Sequence, residues 1–402
     1  MQQFTQEQPT KKVNYFLSQP HQPFFLFGFI WAIVMMLLYG LSYKGVLTLS
    51  VDAVQFHVYT MIFIVFSHVF HGFLFTTFPR FCMSQEIPKP FYLRLFWLYE
   101  GAVLVYILGA ILAPWLALTG MALLFLAHAT AVFTLYNVYK AGKTPSKEDP
   151  FWILTAHIIG LAAHLLWFEG YGSEVAGYTW NWFAIAAPIS FNLYLIFLTF
   201  SVAQRMVPFF SHSFEPKDPR FLKTAFILFV LKTLFAIIDF TLAEAVTSIL
   251  LASYMLREFL RWKLPLFKSP AILWVLHLAL FWLPTGLFIG ALAQLAELYL
   301  GTSFLFMGTH LIALGFLTTV LIGFGTRVTL GHSGQPPHAD RYATALFWFI
   351  QVVVVARMLY SISIGMQWNT SWLFDLSMTT WILLFILWSV RYGNVLISGK
   401  KL

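Results

Sequence analysis

Apolar stretches of about twenty residues recur from one end of the chain to the other, separated by short polar linkers. Coiled as a helix at about 1.5 Å per residue, a stretch of that length matches the roughly 30 Å hydrocarbon core of a bilayer. Apolar runs read against turn and charge signals place spans near 24–44, 57–79, 91–114, 116–139, 150–169, 178–204, 221–242, 243–263, 270–297, 303–329, 342–365 and 370–396. The fold expected is all-α: one polytopic membrane domain of about 12 transmembrane helices over 24–396, preceded by a polar segment 1–23 and followed by a short tail 397–402. Only 10% of the residues are charged, against roughly a quarter in a soluble domain. That is too little polar surface to coat a globule.

The linkers alternate in charge. Lys11 and Lys12, then Arg80, Lys89 and Arg94, then Lys140, Lys143 and Lys147 mark one side, and Arg205, Lys217, Arg220, Arg257, Arg261, Arg327, Arg391 and Lys400 continue it. The other side holds Lys44 with Asp52, then Glu169, Glu174, Asp239, Glu244, Glu297 and Asp375. The positive-inside rule makes the basic side cytoplasmic, with both termini on it, in a bacterial inner membrane. The net charge of +8 is therefore orientation information. Nucleic acid is not expected as a partner, because no basic patch sits on a folded soluble face. The first twenty residues lack an apolar core and a cleavage site, so the first span is expected to direct insertion. The single cysteine, Cys82, leaves no CxxC for a metal or a covalently attached haem. A bound haem would be b-type, held by histidine.

Three short stretches at the basic ends of spans two, six and ten, LFTTFPRF, FSVAQRMVPFF and IGFGTRVTL, suggest an internal repeat of four spans. Three four-helix units would resemble the catalytic subunit of haem-copper oxidases.

Ionisable side chains inside spans usually line a site or pair with one another. By helical rise, His57, His310 and His164 fall in the outer half with Arg357. His68, His71, His128, His157 and His277 fall nearer the middle or the inner half, with Glu100 and Lys232 at similar depth. On a regular α-helix His57, His68 and His71 lie within about 40° of azimuth and share one face. Neutral histidine is a common metal ligand and a standard axial ligand of haem; the alternative is a hydrogen bond to a neighbouring helix. Glu100 and Lys232 could neutralise one another. Arg357 could meet a haem propionate or pair with Asp375 or Glu297.

Several segments resemble the NnrS family, membrane proteins described as carrying haem and copper and associated with the response to nitric oxide. HLIALGFLTTVLIGFGTRVTLGHSGQP at 310–336 resembles that family's histidine-started helix ending in a TRxxLGHxGxP loop. RMVPFF at 205–210 resembles its GRxIPFF, FHVYTMIF and HGFLFTTFP resemble its WHxHEMxFG and GFLLTAxP, and WSVRYGNVL resembles its ending. The resemblance implies functional roles for His57, Arg205, His310, Arg327, His332 and Arg357. Tyr59 and Thr60 stand where the family has a second histidine and a glutamate, which makes this a divergent member; His68 and His71 are the candidate replacement ligands.

The function implied is haem binding in nitric oxide metabolism or nitrosative-stress defence. Its partners would be lipid, haem and a small diatomic ligand such as nitric oxide, with copper as a second cofactor and Cys82 and Met83 a soft-ligand grouping for it. A redox activity on nitric oxide stays open. The alternative is a secondary transporter of a small solute or metal, for which Pro188 and Pro284 are the candidate helix breaks. Oxygen reduction is not expected, because span six carries no histidine for a copper. The sharpest expectation is that His57 and His310, on spans two and ten, ligate one haem iron from opposite sides.

Overall fold

A computed structural model describes residues 14–213 and 215–402; Lys11, Lys12 and most of the expected segment 1–23 lie outside the described residues. Among the described residues the chain forms twelve long helices and no strand. We number them α1 His21–Tyr43, α2 Ala53–Cys82, α3 Lys89–Leu112, α4 Pro114–Ala141, α5 Glu148–Val175, α6 Phe183–Phe210, α7 Phe221–Ile237, α8 Thr241–Arg261, α9 Ala271–Leu300, α10 Met307–His332, α11 Arg341–Gly365 and α12 Trp372–Ser398. Ten are long and apolar enough to cross a membrane. The exceptions are α7, with 17 residues, and α8, which carries Glu244, Arg257, Glu258 and Arg261. These two form a hairpin, tied by Lys232 and Glu244 at 2.6 Å. Lys232 is therefore not the partner of Glu100, because a carboxylate one helix away in sequence neutralises it first.

The three-unit reading has a counterpart in the backbone. Within α2, α6 and α10 a π-helical stretch replaces the α-helix, over Thr60–Phe66, Ile189–Ile196 and Leu311–Thr318. These stretches sit one to a unit, in the second helix of each group of four. The three helices meet around an apolar cavity lined by Phe73, Leu198, Leu317 and Phe324, which puts them at the centre of the bundle. A π turn bonds i to i+5 and so spends an extra residue. Hydroxyls fill the loosened ladder: Ser67 Oγ donates to the Ile62 carbonyl and Thr318 Oγ1 to that of Ala313, both at 2.8 Å.

The extra residue corrects one expectation. An azimuth counted at 3.6 residues per turn is wrong across Thr60–Phe66, so His57 does not share a face with His68 and His71, which both follow the π stretch and pack on Phe24 and Tyr99. His57 turns toward α1 and α10, against Tyr39 and His310. His68 turns toward Glu100 of α3, and His71 toward His128 of α4 and His157 of α5.

Candidate haem and metal sites

The first site lies at the ends of α2 and α10 away from the basic loops. Asp52 caps α2, accepting from the backbone N–H groups of Val54 and Gln55 at 2.9 and 3.0 Å, and so fixes the turn that carries His57. Tyr39 of α1 stacks on the His57 ring with centroids 4.3 Å apart. Beyond it stands His310, with ring centroids 6.4 Å from His57 and ring planes within 11° of parallel. Two metal–nitrogen bonds of about 2 Å end to end, with half a ring width on either side, would give a separation of similar size. The Nδ1 of His57 is buried and has no hydrogen-bond partner among the described residues.

Arg357 of α11 closes the site. Its guanidinium donates to Ser361 Oγ and to the Leu305 carbonyl, and one nitrogen lies 3.0 Å from His310 Nδ1. The expected ion pair with Asp375 is not formed, because Asp375 is held by Lys44. Among the described residues no carboxylate pairs with this buried guanidinium. The same His310 Nδ1 lies 3.0 Å from the Phe306 carbonyl, which can only accept. If Nδ1–H donates there, Nε2 keeps its lone pair for a metal, and a backbone carbonyl orients the ligand as is usual for metal-bound histidine.

The second site lies between the first and second units. His71 of α2, His128 of α4 and His157 of α5 each bring a ring nitrogen within 4.8 Å of the others. Gly160 lets α5 approach α6 here, since a Cβ at that position would come within 2.4 Å of the Tyr194 ring. Below the triad, His128 Nδ1 faces His164 Nδ1 at 3.2 Å, and His164 Nε2 meets the Tyr59 hydroxyl at 2.8 Å. The sequence places His71, His128 and His157 at similar depth but does not show that the three converge. Matching depth on three separate helices was the signal available.

The remaining expected residues are elsewhere. His68 is a carboxylate partner, with Nε2 2.8 Å from Glu100 Oε1. Arg205 pairs with Asp149 and lies over Phe81, and Arg327 lies over the Phe210 ring. His332 packs on His21, with ring centroids 4.5 Å apart, and does not meet Arg205. These three belong to the basic end: His332 lies about 33 Å along α10 from His310 by helical rise, so it cannot reach the first site. Cys82 is buried and Met83 exposed, and neither joins a histidine cluster. His277 is taken up by Ser211 at 2.6 Å.

Helices of spanning length, with histidines from different units gathered into enclosed layers, define a multi-pass membrane protein whose interior offers nitrogen ligands. The particular assignment follows from comparison with known families: the family described as NnrS protein matches residues 15–400, nearly the whole chain. The protein belongs to the NnrS family. Comparison with curated proteins gives no match.

Proposed function

We propose that this protein binds a b-type haem between His57 and His310 and acts in nitric oxide metabolism or nitrosative-stress defence. The observation that carries the reading is the near-parallel His57–His310 pair, 6.4 Å between ring centroids, contributed by the first and third units. The buried Arg357, which lacks a carboxylate partner among the described residues, is placed to receive a haem propionate by paired charge-assisted hydrogen bonds. Haem would supply a redox-active iron, which could take a diatomic ligand only where one of the two histidines gave up its place. The chain supplies two axial imidazoles, a cation for the propionate and, through Tyr39 and the bundle wall, exclusion of water.

The transporter reading asks for helices unwound at mid-membrane. Instead α6 and α9 run on as helix through Pro188 and Pro284, which favours the haem reading. The test is the optical spectrum of detergent-purified protein. A Soret band lost in both His57→Ala and His310→Ala is the expected result. Wild-type protein, expressed with haem supplied, that shows no Soret band ends the proposal.

A further inference from the structure

The cluster of His71, His128 and His157 shares no residue with the haem pair and stands independently of it. All three side chains are fully buried. Both ring nitrogens of His71, both of His157 and Nε2 of His128 have no hydrogen-bond partner among the described residues. Leaving such an atom unsatisfied is costly, and buried polar groups are with few exceptions paired. Several orphaned nitrogens converging from three helices call for an occupant that accepts lone pairs from all of them. A water has only two hydrogens to offer; a metal ion takes all three.

The donor set selects the ion. Three imidazoles are neutral, and the group contains no carboxylate or thiolate. Glu100 is already engaged by His68 and by Trp31 Nε1, at 2.8 and 2.9 Å. The cost of taking an ion out of water rises as the square of its charge, so a divalent ion held by neutral ligands here costs roughly four times as much as a monovalent one. Zinc also normally completes a fourth position with water or another ligand. Imidazole suits copper, and copper in its monovalent state is content with three nitrogens and one positive charge.

The hydrogen bonds behind His128 add a constraint. The two facing Nδ1 atoms of His128 and His164 share one proton. If Tyr59 donates its O–H to His164 Nε2, then His164 Nδ1 donates to His128, whose proton is left on Nε2, and that nitrogen cannot ligate. If Tyr59 accepts from His164 Nε2–H, then His128 Nδ1–H donates to His164, and His128 Nε2 presents a lone pair. Tyr59, in the place of the family's second histidine, thus acts at one remove.

We propose that His71, His128 and His157 bind one monovalent copper ion, and that His164 and Tyr59 are positioning residues that set the tautomer of His128. The test uses the full chain, freed of haem and metal in detergent and loaded anaerobically with Cu(I), then titrated against a Cu(I)-specific chelator. One copper per chain in a three-nitrogen shell by X-ray absorption is expected. His71→Ala and His157→Gln should lose it while elution profile and near-ultraviolet dichroism stay those of the wild type. Tyr59→Phe should keep the three-nitrogen shell and weaken binding about 10–100-fold, as loss of an orienting partner does. No copper in the wild type, Zn(II) retained in preference to Cu(I), or copper retained after both histidine substitutions overturns the site. Unchanged affinity in Tyr59→Phe overturns the positioning role. Because copper is measured on haem-free protein, this outcome and that of the Soret test are separable.

Discussion

His68 and Glu100 face one another 2.8 Å apart inside the bundle, and both histidine nitrogens are directed at acceptors. Nδ1 lies 2.6 Å from the Ile64 carbonyl and Nε2 meets Glu100 Oε1, while Glu100 Oε2 accepts from Trp31 Nε1 at 2.9 Å. The pair joins α1, α2 and α3 through one proton held between Nε2 and Oε1. It satisfies a carboxylate that would otherwise be prohibitive at this depth.

Glu100→Gln can reproduce this pattern, with the amide oxygen accepting from Trp31 and the amide nitrogen donating to His68. Glu100→Ala orphans two buried groups, at about 1–3 kcal/mol each. Thermal unfolding in detergent should therefore show the alanine variant several degrees below the glutamine variant. Equal losses in the two would mean that the network contributes nothing beyond packing.

The alternating basic loops predict an orientation that reporters can check. A reporter fused after residue 145, in the linker between α4 and α5, should read cytoplasmic, and one fused after residue 178, between α5 and α6, periplasmic. Reversed signals would invert the bundle and place the His57–His310 pair toward the cytoplasm.

His332 packs against His21 at the basic end, with its carbonyl accepting from the Tyr15 hydroxyl. His332→Ala keeps that backbone contact and removes only a ring. Haem content should be unchanged and stability lowered by no more than about 1 kcal/mol, the ordinary effect of trimming a partly exposed side chain. Loss of the Soret band in this variant would show that the basic end holds a cofactor.

The Lys217 ammonium, in the linker between α6 and α7, is bonded to the Gln204 carbonyl and to its Oε1. Burial pushes its pKa down to about 8 from the ordinary 10.5; Arg205 adds to the effect, and Asp149 and Glu258 oppose it. Between those values the unfolded chain binds more protons than the folded one, so this residue makes the protein more stable as pH rises through about 8. Melting curves at pH 7.5 and 9.5 should show a smaller gain in Lys217→Met than in the wild type. The same gain in both would assign the pH effect to other groups.

The helices were legible because each apolar run reports its own length. The repeat showed in Arg80, Arg205 and Arg327, which end the same helix of each unit. The π turns were not legible: Thr60–Phe66 reads like any apolar helix, and only the loosened hydrogen-bond ladder distinguishes it. The placement of His57 relative to His68 and His71 depended on that turn, so a uniform 3.6-residue count put all three on one face. The pairing of His57 with His310 escaped the error because each precedes its π stretch, close to the helix end.

Arg357 gives the sharpest test of the haem site. In this structure its guanidinium donates to neutral acceptors, Ser361 Oγ and the Leu305 carbonyl. A propionate offers two charged oxygens to the same fork, and a hydrogen bond to a charged group contributes about 1.5–3 kcal/mol, or roughly 10–100-fold in affinity. Arg357→Leu should weaken haem binding by that factor while leaving both axial histidines in place, so the spectrum of the haem that does bind keeps its bis-histidine form. Arg357→Lys keeps the charge without the fork and should fall between. The measurement is titration of haem into the haem-free variants, followed by the Soret band. Wild-type affinity in Arg357→Leu would mean that the propionates are held elsewhere, and that this guanidinium serves only to anchor the Leu305 turn that leads into α10.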